Sequence, residues 1–143
     1  ITERLTLYTR LDNCENEEEL QGFHTEMNDR FGPIPQQVED LFDAVRVRRL
    51  AVQLGFEKLL LRDTVLKSFF INKPDSPYFE SDLFRRILDY LQTHTNKARL
   101  KQSGKNFLLV VEGMVDMKTM LQFLQKMNSQ VNSPEPEVTV AQV

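Results

Sequence analysis

The sequence predicts an α+β fold: N-terminal helices followed by a ββαββα unit with a four-stranded antiparallel sheet packed against helices. Three observations predict it. Apolar residues recur every three or four positions as far as Leu54. The period shortens after Gly55, and each of the two strand pairs that follow leads into another helical stripe. A single domain is expected over 1–129, with a helical part at 1–55 and a mixed part at 56–129. Residues 130–143 are polar, carry Pro134 and Pro136, and are expected to be a disordered tail or linker remnant.

Leu5, Leu7, Tyr8 and Leu11 fit a helix and an extended segment about equally over residues 3–12. Asn16 followed by Glu19 reads as a capping-box variant, and Glu17, Glu18 and Glu19 fall at the positive end of the helix dipole. Leu20, Phe23, Met27 and Phe31 form one apolar stripe, in which Phe31 is expected to anchor the core. Gly32 is expected to stop the helix in a left-handed conformation, and Pro33 cannot continue it. Pro35 suits the start of a long helix to about Leu54. Val38, Leu41, Phe42 and Val45 form its first stripe; Val47, Leu50, Ala51 and Leu54 continue on a rotated face, and Gly55 closes it.

Leu59 to Leu61 and Val65 to Ile71, separated by Arg62-Asp63-Thr64, read as a hairpin. Lys73 to Pro77 is a loop, and Leu83, Phe84, Ile87, Leu88 and Leu91 return to helical spacing, capped by Ser76 or Ser81. Ala98 to Lys101, a Ser103-Gly104 turn and Phe107 to Val111 form the second hairpin. Asp116 caps a last helix whose Met117, Met120, Leu121, Leu124 and Met127 share a face, the methionines serving as core filler.

Composition narrows the functional classes. The formal charge of −3 divides into −5 for residues 1–50 and +2 for 51–143, which favours a protein partner at the first half. A pI of about 5.4 without a dense Lys/Arg cluster does not support general DNA affinity. The longest clean apolar run, Phe107 to Val111, is far short of the roughly 18 residues of a membrane span, so no membrane association is expected. The chain opens at Ile1 without a basic-then-apolar leader, which suggests a fragment of a longer protein. Cys14 is the only cysteine; it excludes an internal disulfide and fits a reducing, cytoplasmic setting.

Two groups of residues are candidates for function. Glu26 and Asp29 are three apart on one helix face and, with Arg30, can form a recognition edge; the simpler reading is a solvated helix end. Lys97, Arg99 and Lys101 point the same way along a strand, with Lys105 across the turn. They can touch phosphate, which gives the alternative reading of a nucleic-acid-contacting accessory domain; as solvated lysines they would guard a sheet edge, and no aromatic is interleaved on that face. Ser103-Gly104-Lys105 is no phosphate loop, because that pattern needs Gly where Arg99 stands and Ser or Thr where Asn106 stands. His24 and His94 lack ligand-spaced partners, and Cys14 has no activating neighbour. Asp40 and Asp43 fall on a solvent-facing helix side. No catalytic, cofactor-binding or metal-binding constellation emerges, so the domain is expected to be non-catalytic.

A set of short motifs resembles a known family. They are Arg4-Leu5-x-Leu7-Tyr8-x-Arg10-Leu11, Glu18-Glu19-Leu20, Glu26-x-x-Asp29-Arg30-Phe31-Gly32-x-x-Pro35, Arg46-x-Arg48 and Leu54-Gly55-Phe56-x-Lys58. In this order they resemble the C-terminal domain of bacterial transcription-repair coupling factor, densely over residues 4–58 and only by order of elements over 59–128. Met27 and Phe56 depart from the commoner aliphatic and smaller β-branched residues. The resemblance implies a parent that is a DNA translocase driven by ATP and magnesium, displaces stalled RNA polymerase and recruits the excision-repair protein UvrA. It implies that this domain, a monomer when isolated, docks on the parent's N-terminal UvrB-like module and hides the surface UvrA needs. Glu26, Asp29 and Arg30 would then lie on the docking edge, and contact with UvrA, RNA polymerase and DNA would be indirect.

Overall fold

The computed structural model describes residues 2–94 and 97–132. Its elements are α1 (Thr2–Asn13), α2 (Glu17–Phe31), α3 (Gln36–Leu54), β1 (Phe56–Arg62), β2 (Val65–Phe70), a 3-10 turn (Pro77–Glu80), α4 (Asp82–His94), β3 (Ala98–Ser103), β4 (Asn106–Val111) and α5 (Met117–Val131). This is the α+β order predicted, and the first segment is helical. The chain divides into two compact units, Ile1–Arg49 and Leu50–Val143, while the last helix before the sheet ends at Leu54 and β1 begins at Phe56. The expected break at 129/130 falls inside α5, which runs on because Val131 is buried in the core. Residues 133–143, most of the expected tail, lie outside the described residues.

In the first unit, Leu11, Leu20, Phe23, Phe42 and Val45 form the core, with Met27, Val38 and Leu41 packed against it. Asn16 caps α2: its Oδ1 accepts from the Glu19 amide at 2.8 Å. The Glu19 carboxylate accepts in turn from the amide of Glu15, at 2.8 Å, one residue before the cap. Gly32 ends α2 at φ 80°, ψ −161°, its N–H donating to the Asn28 carbonyl. That is outside the left-handed helical region expected, but it is a conformation essentially reserved for glycine.

The second unit is built on a sheet of strand order β1-β2-β4-β3, antiparallel throughout. Register puts Leu59, Ser68, Leu109 and Leu100 in one cross-strand row, and Leu61, Leu66, Val111 and Ala98 in the next. These rows share the face on which Phe70 meets Phe84 of α4 (ring centroids 5.4 Å apart), and α5 packs against α4. Both serines proposed as caps are used, Ser76 for the 3-10 turn and Ser81 Oγ for the Phe84 amide of α4. Asp116 caps α5 by accepting from the amide and hydroxyl of Thr119. The second hairpin turns at Gly104-Lys105, one residue later than expected, because Ser103 already pairs with Asn106. Gly104 alone has positive φ (62°), which fits the II′ pattern.

The first hairpin turns on Asp63 and Thr64, whose φ angles are 52° and 63°. Two positive angles fit a type I′ turn, whose favoured residues are Asn-Gly. A β-branched Thr is costly there, at about 1–2 kcal/mol for the left-handed region. Replacing Asp63-Thr64 by Asn-Gly is therefore expected to stabilise the protein by roughly 0.5–1 kcal/mol after the extra unfolded-state freedom of Gly is deducted. The urea midpoint should rise at constant slope; an unchanged or lower midpoint contradicts this account.

Candidate functional site

The last two turns of α2 carry Glu26, Asp29, Arg30 and Phe31 before the Gly32 stop. Glu26 reaches back to α1, where Arg10 donates to it at 2.6 and 3.4 Å. The pair is open to solvent, with the Arg10 and Glu26 side chains 46% and 42% exposed. Arg10 holds the Glu26 carboxyl below its ordinary range, chiefly by hydrogen bonding and with help from Arg30. The Arg10 guanidinium also lies 4.3 Å from the centre of the Phe23 ring, which ties this surface pair to the core.

Beyond Glu26 the edge is open. Asp29 is exposed and makes no ion pair or side-chain hydrogen bond among the described residues. Arg30 is exposed and stacks its guanidinium 5.3 Å from the Phe31 centroid. Phe31 is 72% exposed, so it is not the core anchor its spacing predicts. The helix outruns the core: Met27 is the last residue of the stripe to pack against it. The structure thus separates the expected trio, holding Glu26 in the chain while presenting Asp29 and Arg30 beside an uncovered aromatic ring.

Between α2 and α3 runs an ion-pair network that sequence reasoning missed. Arg46 joins Glu17 (2.9 Å) and Asp43 (2.8 Å). Asp43 is only 14% exposed, so it faces this network and not solvent, whereas Asp40 accepts from Gln36 on the surface. Arg48 pairs with Asp12, Arg49 donates to the Cys14 carbonyl, and His24 meets Glu39. Burial, then Glu19, raises the Cys14 thiol above its ordinary range. The available signal was the acidic run Glu17 to Glu19 against the basic run Arg46 to Arg49, two complementary clusters on successive helices.

The basic stripe is also divided. Lys97 precedes β3, and its carbonyl accepts from the Glu112 amide. Arg99 pairs with Glu112 at 3.6 Å. Lys105 sits in the turn and lines a cleft of about 320 Å³ with Leu100, Gln102 and Phe107, on the helix-covered face. Arg99 and Lys101 project from the opposite face, and register places Phe69 there with them, so an aromatic does share that face. Among the described residues no group of three His, Cys, Asp or Glu could hold a metal ion.

Comparison with known proteins places this geometry in context. Residues 1–81 match the TRCF domain. The transcription-repair-coupling factor of Rickettsia conorii is 34% identical over 113 residues, which is 79% of this chain and 9% of that protein. Those of Escherichia coli and Helicobacter pylori 26695 are 37% and 43% identical over 59 and 56 residues, covering 41% and 39% of this chain and 5% and 6% of theirs. The chain therefore spans less than a tenth of the length of these relatives. A crystal structure of the C-terminal domain of transcription-repair coupling factor superposes with TM-score 0.70 at 16% identity, covering 94% of this chain and 84% of that one. At that identity the likeness shows the fold.

The Glu17–Arg46 pair has a pH signature. Arg46 holds the Glu17 carboxyl below its ordinary range, mainly by hydrogen bonding. A depressed folded-state value gives stability that is fully present above about pH 4.5 and is lost as pH falls through the folded value. Because Glu17 is half-exposed, the pair is worth about 1 kcal/mol after solvent screening. Glu17→Gln, which leaves Arg46 paired with Asp43, should cost that much at pH 7 in urea melts, and the gap from the unmutated chain should narrow below about pH 4. A gap independent of pH would assign the loss to packing.

Proposed function

This chain belongs to the TRCF domain family, and from that premise we propose that it is a non-catalytic regulatory module that docks elsewhere on a longer transcription-repair coupling factor. The docking edge is the C-terminal end of α2, and its target is the N-terminal UvrB-like module of the same protein. Docked there, the module hides the surface that UvrA needs. The longer protein supplies the ATP- and magnesium-driven translocation along DNA and the displacement of RNA polymerase, in the cytoplasm. The observation that carries this reading is the exposed Asp29, Arg30 and Phe31, which end a rigid helix and have nothing in their own unit to bury them.

The magnitudes suit a lid that must open. Burying most of a phenylalanine ring contributes about 1–2 kcal/mol. Each exposed charge contact adds about 0.2–1 kcal/mol. Together these reach roughly 1.4–4 kcal/mol, equivalent at the upper end to a dissociation constant on the order of 1 mM. Tethering supplies an effective concentration in the same range. Open and closed forms are then comparably populated, and a competitor with modest preference for the open form shifts the balance. Glu26 has to keep or exchange its Arg10 partner on docking, so it contributes less than Asp29.

In the full-length protein, Asp29→Arg combined with Phe31→Ala removes the presented groups and disturbs no contact with the core. With about half of the molecules already open, taking roughly 1 kcal/mol from the closed state raises the open fraction to about five-sixths, so UvrA capture is expected to rise by up to about twofold. Glu26→Lys with Asp29→Arg should act in the same direction, and its charge-dependent share should fade at high salt. Unchanged capture with native circular dichroism would reject the docking edge.

A further inference from the structure

The helix-free face of the sheet carries two cross-strand rows, each with two cations and two apolar side chains. The first row is Lys58, Phe69, Leu108 and Lys101; the second is Leu60, Lys67, Val110 and Arg99. Arg62, two residues beyond Leu60, adds a fifth cation on the same face. All five are exposed, whereas Leu108 and Val110 between them are buried and Phe69 and Leu60 are half-buried. The Lys58 ammonium lies 5.4 Å from the centre of the Phe69 ring. Of the five, only Arg99 makes an ion pair among the described residues, with Glu112 at 3.6 Å, both side chains 62% exposed.

Unpaired cations so close together repel one another, so their charges do not stabilise the fold. Strands are spaced about 4.8 Å apart, so Lys58 and Lys101 stand roughly 14 Å apart across the sheet, and the two rows lie about 7 Å apart along the strands. The ligand that matches such a grid repeats a flat apolar plane and an anion at each step. A single nucleic-acid strand does so, its bases stacking on the apolar strip and its phosphates meeting the cations. A duplex turns its base planes inward and cannot use the strip. An acidic peptide supplies charge without a repeating plane.

We propose that this sheet face binds a single nucleic-acid strand, with Lys58, Lys67 and Lys101 contacting phosphates and Phe69 stacking a base. The site lies in the second unit and is independent of the α2 edge. Arg99 joins when the strand displaces Glu112.

The test is fluorescence anisotropy of the 143-residue chain with labelled oligothymidylate and oligouridylate of about 15 nucleotides. With about four phosphates neutralised, the slope of log affinity against log salt should be near −2.8, a loss of about 50-fold between 50 and 200 mM salt. Lys67→Gln with Lys101→Gln should reduce the slope to about −1.4. Phe69→Leu, which keeps the apolar volume, should weaken binding several-fold and leave the slope unchanged. Lys118→Gln with Lys126→Gln on α5 serves as the charge-matched control. No binding at 50 mM salt, equal loss in the control pair, stronger binding of a duplex of the same length, or equal competition by a glutamate oligomer would each overturn the proposal. Native circular dichroism and melting of the sheet-face variants keep those readings interpretable.

Discussion

The second unit depends on the register of its sheet. Side chains alternate with period two, so a slip of one residue in any strand would turn its apolar set outward. The observed pairing puts Leu59, Leu66, Leu109 and Leu100 on the face that carries Phe70, and it necessarily puts Lys58, Lys67, Arg99 and Lys101 on the other side. Core and charged face are one constraint seen from two sides. Both hairpins end in two-residue turns, which leave the register no slack, and this is why Thr64 is held at an angle it disfavours. The central strand β4 is buried on both faces although only one has helices. Long basic side chains can cover apolar neighbours with their aliphatic stems and keep their charged ends in water, which suits the flanks of Val110 and Leu108.

The first unit is fixed in a different way. Its apolar core is small, and a ring of arginines supplements it: Arg10 to Glu26, Arg46 to Glu17 and Asp43, Arg48 to Asp12. Arg46, the least exposed of these, satisfies two carboxylates at once, and the planar guanidinium suits that task better than a lysine ammonium. The network engages four of the eleven acidic side chains of residues 1–50. What distinguishes the end of α2 is the exposed Phe31 ring beside Asp29 and Arg30.

Much of the fold was legible locally. Caps at Asn16, Ser81 and Asp116 follow from side chains that satisfy the amides of their own first turn, and the change of period at Gly55 marks the passage from helices to sheet. Phe31 was misread because helical period gives the side of a helix a residue occupies, not how far along it the core extends. Asp43 was misread because its partner network includes Glu17 on another helix. The full basic face was missed because order within each hairpin is local, whereas the pairing of β2 with β4 is not. Without that pairing, Lys67 and Phe69 cannot be placed beside Arg99 and Lys101. The candidate α2 edge is read from residue spacing and from the resemblance; the structure leaves Phe31 exposed beside it and pairs Glu26 with Arg10.

The two exposed surfaces differ in what salt can do to them. The grid on the sheet acts through accumulated charge, and its affinity is governed by counterion release. The α2 edge combines two opposite charges with one ring, so screening removes the contribution of Asp29 and Arg30 but leaves that of Phe31. An edge of this kind keeps a basal affinity at physiological ionic strength, set by apolar contact, while the charges choose the partner and its orientation. For a tethered module that has to be both held and released, that division is an advantage. In the proposed closed state the ring would hold the module down, and a competing partner would need only to outbid weak, screened contacts to open it.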